Sequence, residues 1–433
     1  MSKKALAIGM AVILVVGTGI TLFFVLRPSR EDTLIIHNWH DFLAPGLREE
    51  FQQHYYRQTG RRIRVQERLF DSNETLRTRL VTANAPADII IPSDYMLEDL
   101  WNRNLLKPLD LNRLPSLTRV VGEGENAKRE INPTVLDPFV TNALTKITDN
   151  VVYGIPYFYG TMGILYDTRT PGLAEMIYEH GWASLWNHNA TLTPGLTAAQ
   201  RAFVPSIKEI GRESYTAAQF VLNRQDLLDL SNNGTDFGLE YRELIDSLFD
   251  ETTQARISAA GQLLQGINPD VVFEIDQGKT DMITGDGDQH FGMEWSVSAI
   301  YAMMENQYLQ YHVPREGTNL WVDAIAIPRR AVNLSAAYAF IEWILSPDVA
   351  RRNMEWVGGS TPVIATAEAY FTYLNTKSDM FDGRPAQKAN FLETLFPSRQ
   401  EFNVLPRTGI MRYLGDLEGS LEDMFLQFRM SFI

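Results

Sequence analysis

Leu34-Ile35-Ile36-His37-Asn38-Trp39-His40-Asp41-Phe42 is the stretch on which the reading of the fold turns. Three apolar residues, two of them β-branched, read as a short buried strand. An indole, a carboxylate and a phenyl ring follow directly. Outward from here strands alternate with helices. Pro45 to Tyr56 reads as a helix and Arg62-Ile63-Arg64-Val65 as a second strand. Asn73 to Ala83 reads as a second helix with Asn73 as its N-cap, and Asp88-Ile89-Ile90-Ile91 as a third strand, apolar enough to be buried on both faces. This alternation predicts a parallel sheet and an open α/β lobe. Open α/β sheets place their sites beyond the carboxyl ends of the strands. That puts Asn38 to Phe42 and Pro92-Ser93-Asp94-Tyr95 in view.

At 433 residues the chain is too long for one ordinary core and suits two lobes. A loop rich in Gly, Glu and Asn, Gly122 to Asn132, precedes Val151-Val152-Tyr153-Gly154-Ile155-Pro156-Tyr157, which reads as a crossover into the second lobe. Leu320 to Pro328 reads as a second crossover. Ser335 to Leu345 then forms an amphipathic helix stopped by Ser346-Pro347, and Trp182 to Gln254 reads as mostly helical and polar, without a repeat. The expected division is 31–150 with 322–365 in the first lobe, and 151–321 with 366–433 in the second.

Ala5 to Leu26 carries no charge and is followed by Arg27-Pro28-Ser29-Arg30. Twenty-two uncharged residues at a helical rise of about 1.5 Å each would cross a hydrocarbon core of roughly 30 Å. Lys3 and Lys4 orient the remainder outside the cytoplasm. The segment reads as an inner-membrane anchor with the lobes in the periplasm; the alternative is a signal peptide cleaved near Gly17-Thr18-Gly19. No cysteine follows it, so a lipoprotein linkage is excluded, as are disulfides and thiol chemistry anywhere in the chain. The net charge is -14; four of the 39 basic residues and none of the 53 acids lie in the first thirty, leaving -18 on the exported part. Such a surface argues against nucleic acid and favours small cations.

Enzymatic signatures are absent: there is no G-x-S-x-G, Walker A or H-E-x-x-H pattern. Asp286-Gly287-Asp288-Gln289-His290 looks like a cation loop, but the twelfth position of an EF-hand count falls on Val297 where Glu is needed, so it reads as a turn. No catalytic residue, metal or cofactor is expected. What recurs is a ring beside a carboxylate. Trp39 and Phe42 flank Asp41, which, read in isolation, serves equally as a core closure with a helix cap. Trp321 and Asp323 lie two apart on one face of an extended segment, and Tyr95, Tyr159 and Trp295 stand near other strand ends. Rings cover methylenes and attract cations by about 0.5–2 kcal/mol, while a carboxylate–ammonium hydrogen bond contributes around 1.5–3 kcal/mol. The pattern suits an alkyl chain carrying ammonium groups.

Several motifs occur together and in order: Asn38-Trp39 with Asp41-Phe42, Ser72-Asn73-Glu74-Thr75, Pro92-Ser93-Asp94-Tyr95, Gly154-Ile155-Pro156-Tyr157, Met293-Glu294-Trp295, Glu316-Gly317 through Trp321-Val322-Asp323 to Ile327-Pro328, and Leu345 to Ala350 followed by Thr361-Pro362. In this the sequence resembles the periplasmic polyamine-binding proteins of ABC transporters, the spermidine/putrescine class. The resemblance covers most of 32–180 and 255–365. It implies a two-lobed periplasmic-binding-protein fold of type II, α/β in class, with the ligand between hinge-linked lobes. Carried across motif by motif, Trp39, Asp41, Phe42, Ser93 and Tyr95 would form the first-lobe wall, and Trp295, Trp321 and Asp323 the remaining contacts. The family's acidic–Arg–Glu–aromatic helix motif matches Glu209 to Tyr215. Glu213 there keeps one amine-binding carboxylate, whereas Ile210 replaces the other and Gly359 stands where an aromatic is usual.

The resemblance implies a solute receptor that binds a polyamine-type cation and passes it to an ABC permease. A receptor that reports ligand occupancy to a membrane signalling protein, and a receptor of the same fold for another amine or an amino acid, are the alternatives.

Overall fold

The computed structural model describes residues 32–274, 277–285, 289–377 and 379–432. The membrane segment expected at Ala5 to Leu26 and the Asp286-Gly287-Asp288 turn lie outside the described residues. Among the described residues no helix is long and apolar enough to cross a membrane.

The strands are β1 (Thr33–Trp39), β2 (Arg64–Phe70), β3 (Ile89–Ile90), β4 (Thr118–Val121), β5 (Lys128–Ile131), β6 (Gly154–Asp167), β7 (Val204–Lys208), β8 (Val272–Glu274), β9 (Gln289–Trp295), β10 (Leu309–His312), β11 (Thr318–Ala326) and β12 (Thr408–Ile410). Among the described residues ten of them join in one path, β2-β1-β3-β11-β6-β9-β7-β8, with β10 on β6 and β12 on β11. β1 runs parallel to β2 and β3, as the strand–helix alternation predicts, but β11 pairs antiparallel with both β3 and β6, so the sheet is mixed.

β6 holds the two halves together. All fourteen of its residues are buried. Gly154 to Thr161 pair with β11 beside β3, and Met162 to Tyr166 pair with β9. The strand therefore passes from one half of the sheet to the other between Thr161 and Met162, inside the element rather than in a loop. β11 crosses beside it, and Ser360 exchanges backbone hydrogen bonds with Tyr159 within the first half.

Local expectations mostly hold within a few residues. The first helix is Leu47–Thr59, and the Ser346-Pro347 stop is where one helix (Leu334–Ile344) ends and Pro347–Val357 begins, with Pro347 in a first turn that needs no N–H from it. Ser72, not Asn73, caps Asn73–Val81, because its hydroxyl accepts from Thr75 N. β2 starts two residues later than Arg62 and runs on to Phe70, since pairing along the full length of β1 extends it. The Gly122 to Asn132 loop contains part of a small antiparallel pair, β4–β5. The stretch 182–254 is not simply polar and helical. It holds β7 and the buried Trp182 and Trp186 of a tight 3-10 segment, Gly181–Trp186. β7 is hidden in the sequence by Pro205, a residue that argues against an interior strand; the ladder accommodates it with a register shift at Val204/Pro205.

Candidate functional site

Two of the motifs are laced to each other at the carboxyl ends of the first-half strands. Asn73 Oδ1 accepts from Ser93 N at 3.1 Å, and Asn73 Nδ2 donates to the Tyr95 hydroxyl at 3.0 Å. That hydroxyl donates in turn to Glu74 Oε1 at 3.2 Å. Ser93 Oγ then donates to Asp323 Oδ1 at 2.7 Å, across 230 positions of sequence. Asp94 faces inward, accepting from Tyr95 N at 2.7 Å and from Val322 N at 3.1 Å, which clamps the helix Asp94–Asn102 to β11.

Asp323 is buried, and loss of solvation pushes its carboxyl up to about 7 against the opposing pull of the Ser93 hydroxyl and the Trp39 indole. The Trp39 N–H is itself buried without an aligned acceptor. The Trp39 ring packs on Phe70 at 4.6 Å and reaches Phe42 at 6.4 Å, and Phe42 meets Phe158 edge-on at 5.7 Å. Phe158 pairs with Asp323 across β6 and β11, so these rings stand beside the carboxyl. The Phe42 loop is fixed from below: the Tyr157 hydroxyl donates to Phe42 O at 2.7 Å and accepts from Asn353 Nδ2 at 2.7 Å. Gly359 lies against the same ring, where a Cβ would approach Phe158 to 3.1 Å. Phe158 therefore crowds the position that carries an aromatic in the resembled family.

Trp321 is half-buried and donates from its indole to Thr161 O at 3.1 Å. Its ring lies over Gly160. A Cβ at Gly160 would sit 2.6 Å from the Trp321 ring and overlap the Ser296 hydroxyl, which itself accepts from Thr161 N. Gly160 thus brings Trp321 of the first half against the Trp295–Ser296 turn of the second. We expect Gly160→Ala to displace the indole and cost about 1–3 kcal/mol of overpacking. Chemical denaturation checks this, and wild-type stability in the variant would refute it.

The second-half wall is formed by the ends of β7 and β9 and by the first turn of the helix Gly211–Leu222. Glu213 is 8% exposed, and its Oε2 has no hydrogen-bond partner. Burial raises its carboxyl to about 7, opposed by the helix amides, Arg212 and Lys208 and assisted by Glu74. The Arg212 guanidinium stacks 4.1 Å over the Tyr95 ring and donates to both oxygens of Glu418 at 2.6 and 2.7 Å. Lys208, fully buried, donates to Glu294 at 2.7 Å and lies 4.7 Å from the centre of the Trp295 ring.

The structure thus gathers Ser93, Tyr95, Trp39, Phe42, Trp321 and Asp323, with the Trp295–Ser296 turn reached from Trp321 across Gly160 and the Glu213 charge bearing on Tyr95. Asp41 is exposed, at φ 60°, and its charge bears on Glu67 rather than on Asp323. It does not cap the following helix, whose N-cap is Gly46. Tyr159 belongs to the core and donates to Ser398 Oγ at 2.9 Å, away from the strand-end rings. Glu209, beside the missing family acid, is taken by an ion pair with Arg429. Ile210 sits at the N-cap of Gly211–Leu222. Sequence reasoning missed Lys208, Arg212, Asp94 and Glu294. For Lys208 the available signal was only its place directly ahead of the Glu209 to Tyr215 motif, since Pro205 conceals the strand that carries it. Among the described residues no group of three His, Asp or Glu is placed to hold a metal.

Two sheet halves joined by crossing strands, with buried acids and rings where they meet, are an arrangement suited to holding a small solute. The comparisons agree. The family described as bacterial extracellular solute-binding protein matches residues 47–379, and the chain belongs to it. A spermidine/putrescine-binding periplasmic protein of Salmonella typhimurium is 27% identical over 78% of this chain and 79% of its own length. The putrescine-binding periplasmic protein of Escherichia coli is 25% identical over 74% and 75%. The structure of a spermidine/putrescine ABC transporter substrate-binding protein from Streptococcus pneumoniae superposes with a TM-score of 0.64 at 25% identity, covering 93% of this chain and all of that one.

Proposed function

We propose that the protein binds a polyamine-type cation between its lobes and delivers it to an ABC permease from the periplasmic side of the inner membrane. The observation that carries this reading is the pair of buried carboxyls, Asp323 and Glu213, set among Trp39, Tyr95, Trp295 and Trp321 and lacking a full complement of partners. A buried acid raised to about 7 gains most from a cation that replaces its lost solvation. The names carried by the relatives point to the same ligand class.

The lobes follow the expected division of 31–150 with 322–365 and 151–321 with 366–433, with one exception. A crossing of β6 at Thr161–Met162 assigns residues 151–161, and Trp321 on β11 beside them, to the first lobe. The packing of Glu418–Met430 on Gly211–Leu222 and Gln254–Leu264 supports the place of the tail in the second lobe. Closure about these crossings brings Glu213 and Trp295 towards Asp323 and Trp321. Calorimetric titration of the full-length protein with diamines, triamines and amino acids tests the ligand class. A saturating ligand is expected to shrink the scattering radius and change tryptophan emission. Absence of di- or polyamine binding at millimolar concentration refutes the amine reading, and an unchanged radius refutes closure.

Ala5 to Leu26 serves as the membrane anchor in this reading. N-terminal sequencing of protein recovered from cells is expected to begin at the start of the chain; a product starting near Ile20 or later excludes a retained anchor.

A further inference from the structure

Resting on the amine-receptor reading, we propose that Lys208 sets the length of the ligand, making the cleft a receptor for a dication, an α,ω-diamine, rather than for a triamine. Charge compensation within the cleft limits how many ammonium groups it can hold. Four acids line the second-half wall and its contact with Tyr95: Glu74, Glu213, Glu294 and Glu418. Glu418 is neutralised by Arg212 through two hydrogen bonds, and Glu74, which accepts from the neutral Tyr95 hydroxyl, is exposed and solvated. Glu294 is 1% exposed and is met at 2.7 Å by the equally buried Lys208 ammonium. A buried ion pair of this kind is complete: a further cation brought to Glu294 gains no uncompensated charge and meets the lysine's repulsion.

Two buried carboxyls remain open to a ligand. Asp323 has a single hydroxyl donor, Ser93, with the misaligned Trp39 N–H beside it, and Glu213 has an orphaned Oε2. Asp41 is exposed and already solvated, so it demands no counter-ion. Two open acids call for two ammonium groups.

Lys208 also settles the use of Trp295. Its ammonium lies 4.7 Å from the centre of the indole, inside the range at which a ring holds a cation, so the chain supplies from within the charge that a third ligand ammonium would have placed there. Ile210, in place of an acid two residues on, removes the other group that could have held it.

Titration of the full-length protein with 1,4-diaminobutane and with spermidine, in parallel, tests the proposal. Wild type is expected to bind the diamine at least tenfold more tightly. Lys208→Gln, which keeps a hydrogen bond to Glu294 but frees its charge, is expected to shift that ratio at least tenfold towards the triamine. Should that chain not fold, Glu294→Gln leaves the ammonium uncompensated and is expected to weaken the triamine at least tenfold more than the diamine. Tighter triamine binding by wild type, or a ratio unmoved by either substitution, overturns the role of Lys208 while leaving the amine receptor standing. Binding of neither amine at millimolar concentration overturns the amine receptor itself.

Discussion

Replacing Asp323 by asparagine is expected to weaken amine binding tenfold to more than a hundredfold, a loss of roughly 1.5–3 kcal/mol. Asparagine keeps the shape and can still accept from Ser93 Oγ, so the lattice joining Ser93, Asn73 and Tyr95 survives. What disappears is the charge that holds an ammonium beside Trp39 and Trp321. Because the carboxyl is buried and raised to about 7, removing it also relieves the empty protein of a group that is costly to ionise. The variant should therefore fold at least as stably as wild type at neutral pH, which separates lost affinity from lost structure. Ser335→Ala, on an exposed helix face, is the matched control and should change neither quantity. Unaltered affinity in the Asp323 variant would remove this carboxyl from the site.

Affinity is also expected to climb steeply with pH. In the empty cleft Asp323 and Glu213 both titrate near 7, raised chiefly by burial. An alkylammonium ligand with a pKa near 10 stays charged below 8 and binds the ionised acids, so each carboxyl must lose its proton on binding. Below 7 one such group makes affinity rise about tenfold per pH unit, and two acting together approach a hundredfold. Proton release, measured by calorimetry in buffers of different ionisation enthalpy, should approach two per ligand near pH 6.

The stability of the unliganded protein runs the other way. A carboxyl whose folded pKa lies above its unfolded value contributes stability that is present below the unfolded value, near 4, and lost as pH rises through about 7. Raising the pH from 5 to 7.5 should thus lower the denaturation midpoint of the empty protein and raise the ligand-induced gain. Flat affinity between pH 5.5 and 7.5 would mean that neither acid changes its charge on binding.

Much of the scaffold is legible in the sequence, because its signals are local. Leu34 to Ile36 and Asp88 to Ile91 announce buried strands by their apolar runs, and Ser346-Pro347 announces a helix boundary by the chemistry of proline. The rings and acids at the strand ends are visible for the same reason: the carboxyl end of a strand can be located from the strand itself. Trp321 and Asp323 share a face because side chains alternate along an extended chain. The same reasoning fails where burial is not periodic. Tyr159 stands in a fully buried strand and so belongs to the core, and Pro205 conceals β7.

Composition and periodicity alone determined an α/β protein with two crossovers, an acidic exported part and aromatic–acid pairs at strand ends. Those properties depend on each residue's neighbours in the chain. Tertiary structure alone decided that Ser93 holds Asp323 from 230 positions away, that Asp41 faces water, and that Lys208 and Arg212 cancel Glu294 and Glu418 while Glu213 stays open. Which acid is compensated depends on where strands cross and how much water their meeting removes. Solvation and pairing are properties of the assembled cleft, and neither is written into any single segment that lines it.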